Sequence, residues 1–219
     1  QNGYLNTAHC ILEDNHGYLW ISTNRGIFQT RKKDLLNYAG NKAPTPFYLY
    51  YDKDAGFLSN EFNGGNNRTG IKLPNGFFCF SSMNGWVFFN PDNIKILIPD
   101  HNMIVDKIEI DNKEFPATDS LVLENDFDRL TLTVAIAYFG HRNNLQLEYQ
   151  LDNSKWMAIK NDQITFNAIS SGNHLLRTRM RSGFGNEYKT NVIKIRVIPA
   201  WWETSAFKGA LLLMLGILF

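Results

Sequence analysis

The sequence has little of what a nucleic-acid binding protein or a disulfide-stapled domain would need. Its 22 basic and 21 acidic residues leave a net charge of +1. Because nucleic-acid binding needs a concentrated positive field, this balance argues against nucleic acid as a partner. Only two cysteines are present, Cys10 and Cys79, and both lie in apolar runs. That setting predicts two free, buried thiols, although spacing alone does not exclude a disulfide.

Motifs of catalysis and metal binding are also missing. The five histidines show no His-Glu-x-x-His or other paired metal spacing, and no Gly-x-Ser-x-Gly, phosphate-binding glycine loop or Cys-x-x-Cys occurs. Two carboxylate pairs, Glu13-Asp14 and Asp126 with Asp128, are explained more simply as turn residues than as general acid–base pairs. The sequence therefore predicts no catalytic residue, no metal site and no cofactor.

Aromatic residues, by contrast, are abundant, at 14% of a chain of 219 residues that is 44% hydrophobic. This length allows one large or two small domains with a sizeable core. Flat and β-branched side chains favour strands, because they fit the pleated face of a sheet. The composition therefore indicates a β-rich protein.

The most informative feature is a repeat within the first ninety residues. Gly17-Tyr18-Leu19-Trp20-Ile21-Ser22-Thr23 recurs as Gly76-Phe77-Phe78-Cys79-Phe80-Ser81-Ser82, and Gly26 recurs as Gly85 at the same spacing. An insertion at residues 63–70 lengthens the second copy. Each copy consists of short apolar runs separated by turn residues, a pattern typical of propeller blades of four antiparallel strands.

The first copy also resembles a known family. Residues 11–27 resemble the two-component regulator propeller repeat, with Glu-Asp, a turn, Gly-x-Leu-Trp-Ile-x-Thr and a Gly-hydrophobic pair; Ser22 stands where glycine is usual. Residues 84–92 resemble the closing blade of such a propeller. We predict that residues 1–98 are the last two blades. Two blades cannot bury their faces alone, so further blades are expected elsewhere in the protein.

The pattern changes after Pro99. Residues 130–137, 145–151 and 193–197 alternate apolar and polar side chains, and about seven such strands in a hundred residues predict an immunoglobulin-like sandwich over residues 99–199. This stretch is similar to the Y_Y_Y domain in Tyr138, Leu147-Glu148-Tyr149-Gln150-Leu151-Asp152, Trp156, Phe166 and Gly172. His174 stands where that family has tyrosine, and we interpret it as a substitute for tyrosine rather than as a ligand or pH switch.

Residues 200–219 carry the features of a membrane approach. Trp201 and Trp202 precede an apolar run that begins at Phe207. As a helix this run would span only about 20 Å, against about 30 Å for a hydrocarbon core. The Trp pair stands where an aromatic belt is expected, and the resembled family enters the membrane directly after its sandwich. We predict the start of a transmembrane helix, with Trp201 and Trp202 as a membrane-interface signal relay.

A ligand site is predicted at the entries to the innermost blade strands. Polar side chains beside aromatics suit sugar hydroxyls, through hydrogen bonds and stacking. The alternative is that these residues simply terminate turns. The candidate residues are Asn6, Thr7, Asn60, Glu61 and Arg68.

The sequence thus predicts an all-β chain: C-terminal propeller blades, an immunoglobulin-like sandwich and the start of a transmembrane helix. The resemblance implies the periplasmic part of an inner-membrane hybrid two-component sensor, which binds an oligosaccharide, dimerises through the sandwich and is followed by a histidine kinase. One alternative is a membrane-anchored carbohydrate-binding or adhesion module without a kinase. A polysaccharide lyase or hydrolase would need catalytic residues that these 219 residues lack.

Overall fold

Turn residues divide the first repeat into four short strands that form one antiparallel sheet. In the computed structural model, which describes residues 5, 7–42, 45–65, 68–185 and 187–218, the strand order is β1-β2-β3-β4. A helix that the sequence did not predict, α1 (Lys32–Ala39), connects β3 to β4. The strands are β1 (Cys10–Glu13), β2 (Tyr18–Thr23), β3 (Gly26–Arg31) and β4 (Tyr48–Tyr51).

The second repeat forms a sheet of three strands among the described residues. Its strands are β5 (Gly70–Lys72), β6 (Phe78–Ser82) and β7 (Gly85–Phe89), in the order β5-β6-β7. Phe62, which precedes β5 in the chain, forms an antiparallel bridge with Ser82 of β6. The predicted insertion, residues 63–70, follows Phe62 and ends at Gly70, the first residue of β5. Trp86 and Phe88 on β7 are exposed.

The two copies share backbone and side-chain details that follow the repeat spacing of 59 residues (Gly17 to Gly76). The Thr23 hydroxyl donates to the carbonyl of Gly26 at 3.0 Å, and the Ser82 hydroxyl donates to the carbonyl of Gly85 at 2.9 Å. Each bond closes the hairpin between the second and third strands of its sheet. The repeat read from the sequence is therefore also a structural repeat.

One buried polar pair distinguishes the copies. Asp14 is buried, and its Oδ2 accepts a hydrogen bond from the Trp20 indole N–H at 2.9 Å. At the equivalent positions the second copy has Leu73 and Cys79, neither of which needs such a partner. A buried indole N–H without an acceptor would cost about 1–3 kcal/mol, so the carboxylate and the indole occur together and are replaced together.

Residues 104–197 contribute two further sheets. The four-stranded sheet has the order β14-β11-β8-β9, and the five-stranded sheet has the order β10-β16-β15-β12-β13, in which β10 and β16 run parallel. Leu130, Leu132 and Val134 are buried on β11, and Ile193, Ile195 and Val197 alternate with exposed residues on β16. The strands are β8 (Ile104–Ile110), β9 (Lys113–Pro116), β10 (Ser120–Leu123), β11 (Leu130–Ala135), β12 (Leu145–Leu151), β13 (Met157–Ala158), β14 (Gln163–Phe166), β15 (Gly172–Ser182) and β16 (Lys189–Val197).

The described residues form two compact units. The first comprises Gln1–Pro99, Tyr138–Gln146 and Arg181–Glu187; the second comprises Asp100–Ala137, Leu147–Met180 and Tyr188–Phe219. Two segments that the sequence assigned to the sandwich thus belong to the first unit. The bounds 1–98, 99–199 and 200–219 stay predictions. The predicted class, β-blades followed by a β-sandwich, is confirmed.

The second unit ends in α2 (Ser205–Leu218), which follows a 3-10 turn, Trp201–Glu203. Within the described part of the chain, no helix combines the length and the apolar character that crossing a membrane requires.

Candidate functional site

The five residues predicted to bind a ligand do not share one environment. Asn6 lies outside the described residues, whereas Thr7, Glu61 and Arg68 are exposed. Asn60 is half-buried, and its Oδ1 accepts the backbone N–H of Lys53 at 2.8 Å. That bond supports the turn after β4, which is the role that the alternative explanation assigned to it. Ligand binding by these residues stays a prediction.

Two cavities in the first unit share Tyr51, Ala55 and Ile94 as lining residues. One measures about 300 Å³ and is lined in addition by Asn84 and the exposed Trp86. The other measures about 610 Å³. Both volumes suit a small ligand.

Among the described residues, one group of side chains in the larger cavity could hold a metal ion: Asp52, Asp54 and His141. His141 Nε2 lies 3.2 Å from Asp52 Oδ2, and His141 Nδ1 accepts the backbone N–H of Asn143 at 3.2 Å. A histidine that ligates a metal through Nε2 must carry its proton on Nδ1, where it would oppose the Asn143 N–H. The observed bonds instead fit a histidine that donates from Nε2 to Asp52, which does not favour a metal.

Asn144 has a structural role that the sequence did not reveal. It is buried in the first unit; its Oδ1 accepts the N–H of Tyr50 at 2.6 Å, and its Nδ2 donates to the carbonyl of Tyr50 at 3.0 Å. An amide side chain thereby reproduces the two hydrogen bonds of a strand neighbour. No local pattern predicts a contact between residues 94 positions apart in the chain.

Both cysteines are free thiols, as predicted, with Cys79 buried and Cys10 half-buried. Burial raises the pKa of each thiol above its ordinary value, although for Cys10 bonds to Thr69 and Ile11 act in the opposite direction. A raised pKa leaves little thiolate at neutral pH, so neither cysteine has the character of a nucleophile.

The predicted signal-relay residues lie in the turn before α2. Trp201 and Trp202 are exposed, and their rings meet edge to face with centroids 5.4 Å apart. Trp201 also contacts Phe207 on the first turn of α2, at 4.9 Å and 84°. The two indoles thus form one aromatic cluster with the helix.

Polar groups fasten the same turn. Glu203 Oε2 accepts hydrogen bonds from the Ser171 hydroxyl and from the backbone N–H of Ala200. The hydrogen bond from Ser171 and then that from Ala200 lower the pKa of Glu203. Thr204 caps α2: its hydroxyl donates to the carbonyl of Trp201 at 2.6 Å and accepts the N–H of Phe207 at 3.3 Å.

His174, interpreted from the sequence as a substitute for tyrosine, makes two hydrogen bonds through its ring. Nδ1 lies 2.7 Å from Asp152 Oδ2, and Nε2 lies 2.7 Å from the carbonyl oxygen of Ser170. Burial acts to lower the pKa of His174, but the bonds to Asp152 and Ser170 and the Asp152 charge together raise it. The pKa of Asp152 is lowered, first by the bond to His174 and then by the N–H of Leu175.

Comparison with known proteins agrees with the blade repeat. Residues 5–25 match the family model described as two component regulator propeller. The chain is also 25% identical, over 217 residues, to histidine kinase P4 of Formosa agariphila; this match covers 91% of the chain and 15% of that protein. The chain therefore spans a small part of this relative. The resemblance to two-component sensors that the sequence indicated is confirmed.

A solved structure supports the fold over nearly the whole chain. The extracellular domain of a protein described as a hybrid two component system of B. thetaiotaomicron has a TM-score of 0.61 and 23% identity. The match covers 91% of this chain and 27% of that domain. At this identity the likeness establishes the fold of propeller blades followed by a sandwich.

Proposed function

We propose that this chain is the sensor and signal-transmission segment of a membrane-bound two-component histidine kinase, on the periplasmic side of the inner membrane. The observation that carries the proposal is the match of residues 5–25 to the two component regulator propeller. Likeness over 91% of the chain to an extracellular domain of a hybrid two component system supports it. The segment itself is non-catalytic, and the kinase belongs to the rest of the protein.

The ligand in this proposal is an oligosaccharide. The exposed side chains of Thr7, Glu61 and Arg68 can hydrogen-bond to sugar hydroxyls. Trp86 is 61% exposed and lines a cavity together with Asn84, so a flat ring for stacking lies beside an amide.

In this proposal α2 is the start of a transmembrane helix and leads into the membrane. The sensor forms a dimer through the sandwich. Lys208 is exposed on the first turn of α2, where its long side chain can reach lipid headgroups. The exposed Trp201 and Trp202 suit the interfacial region, because an indole is apolar and carries one polar N–H.

Replacing Trp201 and Trp202 together with Ala tests the signalling route. We expect the complete sensor with both replacements to bind its oligosaccharide with unchanged affinity while ligand-dependent autophosphorylation is lost. The physical reason is that removing both rings removes the contact of Trp201 with Phe207, which is one of the contacts that fix the entry into α2. Leu36→Ala, at an exposed apolar residue of α1 in the first unit, is the control.

The same measurement separates the proposal from its alternatives. Unchanged ligand-dependent phosphorylation in the double variant contradicts the relay. A protein that binds oligosaccharide but never becomes phosphorylated is an anchored binding or adhesion module. Appearance of new reducing or unsaturated sugar ends in the incubation would identify a hydrolase or a lyase.

A further inference from the structure

The bonds around His174 specify its protonation state. A carboxylate oxygen and a backbone carbonyl oxygen can only accept hydrogen bonds, so both ring nitrogens of His174 must donate. Only the imidazolium form carries a proton on each nitrogen. The two distances of 2.7 Å, to Asp152 Oδ2 and to the Ser170 carbonyl, are therefore those expected of the imidazolium form.

Loss of one proton would break one of these two bonds. The bond to Asp152 is retained, because a charged acceptor binds a donor more strongly than a neutral carbonyl does. Asp152 is itself held, since its Oδ1 accepts the N–H of Leu175 at 2.8 Å and its carbonyl accepts from Arg177 at 2.7 Å. The carbonyl of Ser170 is therefore the group that neutral His174 releases.

The residue after Ser170 carries the connection to the helix. Ser171 donates to Glu203 Oε2, which also accepts the N–H of Ala200 at 3.2 Å. Glu203 precedes Thr204, the residue that caps α2. Lys208 is the charged group that acts on Glu203 from α2.

We propose that the Ser170–Ser171 loop is a hydrogen-bonded link that fastens the start of α2 to the five-stranded sheet, and that a proton on His174 keeps it closed. On the sheet side His174, which is bonded to Asp152, holds the carbonyl of Ser170; on the helix side Glu203 holds the hydroxyl of Ser171. Its use in signalling rests on the proposed function, because a sensor segment must transmit a change in the sandwich to the helix. The link itself is a property of the second unit and can be tested without measuring kinase activity.

The test compares two adjacent serines in the complete sensor, solubilised in detergent. Ser171→Ala removes the hydroxyl that binds Glu203, whereas Ser170→Ala keeps the backbone carbonyl that His174 binds and is the matched control. The readout is the hydrogen-exchange protection of the Ala200 and Phe207 amides. Losing a solvent-exposed hydrogen bond to a carboxylate is expected to lower this protection by about three- to fivefold in Ser171→Ala. Ser170→Ala should stay within about twofold of the parent.

The dependence on His174 gives a second readout that a purely structural serine would not show. The pKa of His174 is raised in the fold, so its contribution is complete below the ordinary histidine pKa of about 6.5 and is lost as pH rises through the folded value. Protection of both amides, corrected for intrinsic exchange, should therefore fall in the parent as pH rises above the ordinary histidine pKa of about 6.5. His174→Gln should show low protection at pH 6 and little further change.

Equal protection in Ser171→Ala and the parent would overturn the link, as would an equal loss in both serine variants. A pH profile in His174→Gln that matches the parent would overturn the role of the proton. Ligand-dependent autophosphorylation of the complete sensor tests separately whether signalling uses the link. If Ser171→Ala loosens α2 but ligand-dependent phosphorylation is unchanged, the link stands and the proposed signalling route fails.

Discussion

Replacing Asp14 with Asn isolates a single hydrogen bond in the first blade. Asp14 Oδ1 accepts the backbone N–H groups of His16 and Tyr18, each at 2.9 Å, and Oδ2 accepts the Trp20 indole N–H at 2.9 Å. An Asn oxygen can keep the two turn bonds. Its NH₂ group would then face the indole N–H, so that two donors oppose each other in a site where Asp14 is only 7% exposed.

The expected loss of stability follows from the hydrogen bond between Asp14 and the Trp20 indole that Asp14→Asn removes. A buried donor left without an acceptor costs about 1–3 kcal/mol, and a bond to a charged acceptor contributes about 1.5–3 kcal/mol. We therefore expect Asp14→Asn to destabilise the first unit by about 2 kcal/mol. Trp20→Phe removes the indole N–H and is expected to cost about 2–3 kcal/mol through lost packing. In the double variant the Asn has no indole to oppose, so the effects should fall short of additivity by about 1–2 kcal/mol.

Hydrogen exchange of the β2 amides measures these differences, because protection in β2 reports opening of the first unit without assuming that the whole chain unfolds in one step. A cost of about 1.4 kcal/mol appears as a tenfold loss of protection. An Asp14→Asn cost below about 0.5 kcal/mol, or the same cost with and without Trp20→Phe, would refute the role of the buried pair. Leu73→Ala in the second copy shows how much an apolar residue contributes at the equivalent position.

Two further predictions concern packing. Gly26 and Gly85 occupy equivalent positions, and both have positive φ, at 134° and 110°. A Cβ on Gly26 would lie 2.3 Å from the carbonyl oxygen of Tyr51, whereas a Cβ on Gly85 would meet nothing within 4 Å. Gly26→Ala should therefore be more destabilising than Gly85→Ala by about 2 kcal/mol, measured by exchange in β3 and β7; equal costs would contradict the steric argument. Arg179→Lys should destabilise the second unit by about 1–2 kcal/mol, because the Arg179 guanidinium lies 3.9 Å from the centre of the Trp156 ring and a lysine cannot stack in this way. The measurement is the urea concentration at which the β15 amides become half-exchanged. An unchanged concentration would contradict the stacking argument.

The blades could be predicted from the sequence because their determinants are local. Neighbouring residues set the strand lengths, the Asn-Gly turns and the spacing from Gly17 to Gly76. The sequence repeat is therefore also present in the structure, as the equivalent hydrogen bonds of Thr23 and Ser82. Alternation of apolar residues predicted β11, β12 and β16 for the same reason. Helix α1 was missed because its polar sequence, KKDLLNYA, has no buried residue to produce a clear period.

The candidate sites were less predictable, since they depend on contacts between distant parts of the chain. Asn60 was selected for its polarity, but its side chain is used by the N–H of Lys53. Ser22 departs from the repeat pattern, and its buried hydroxyl has no hydrogen-bond partner within the described residues. Neither the bond of Asn60 nor the buried hydroxyl of Ser22 can be predicted from the sequence, because the role of a side chain depends on which groups lie within about 3 Å of it in the fold.

By itself, the sequence determined the class of the protein: propeller blades, a sandwich and an apolar helix in that order, together with the resemblance to two-component sensors. These depend on periodicity and turn chemistry, which act over a few residues. Only the tertiary structure decided that Asn144 joins β4 in the first unit and that His174 lies between Asp152 and the carbonyl of Ser170. Both depend on hydrogen-bond geometry between residues far apart in the chain, and the energy of a hydrogen bond depends on distances that no sequence pattern records.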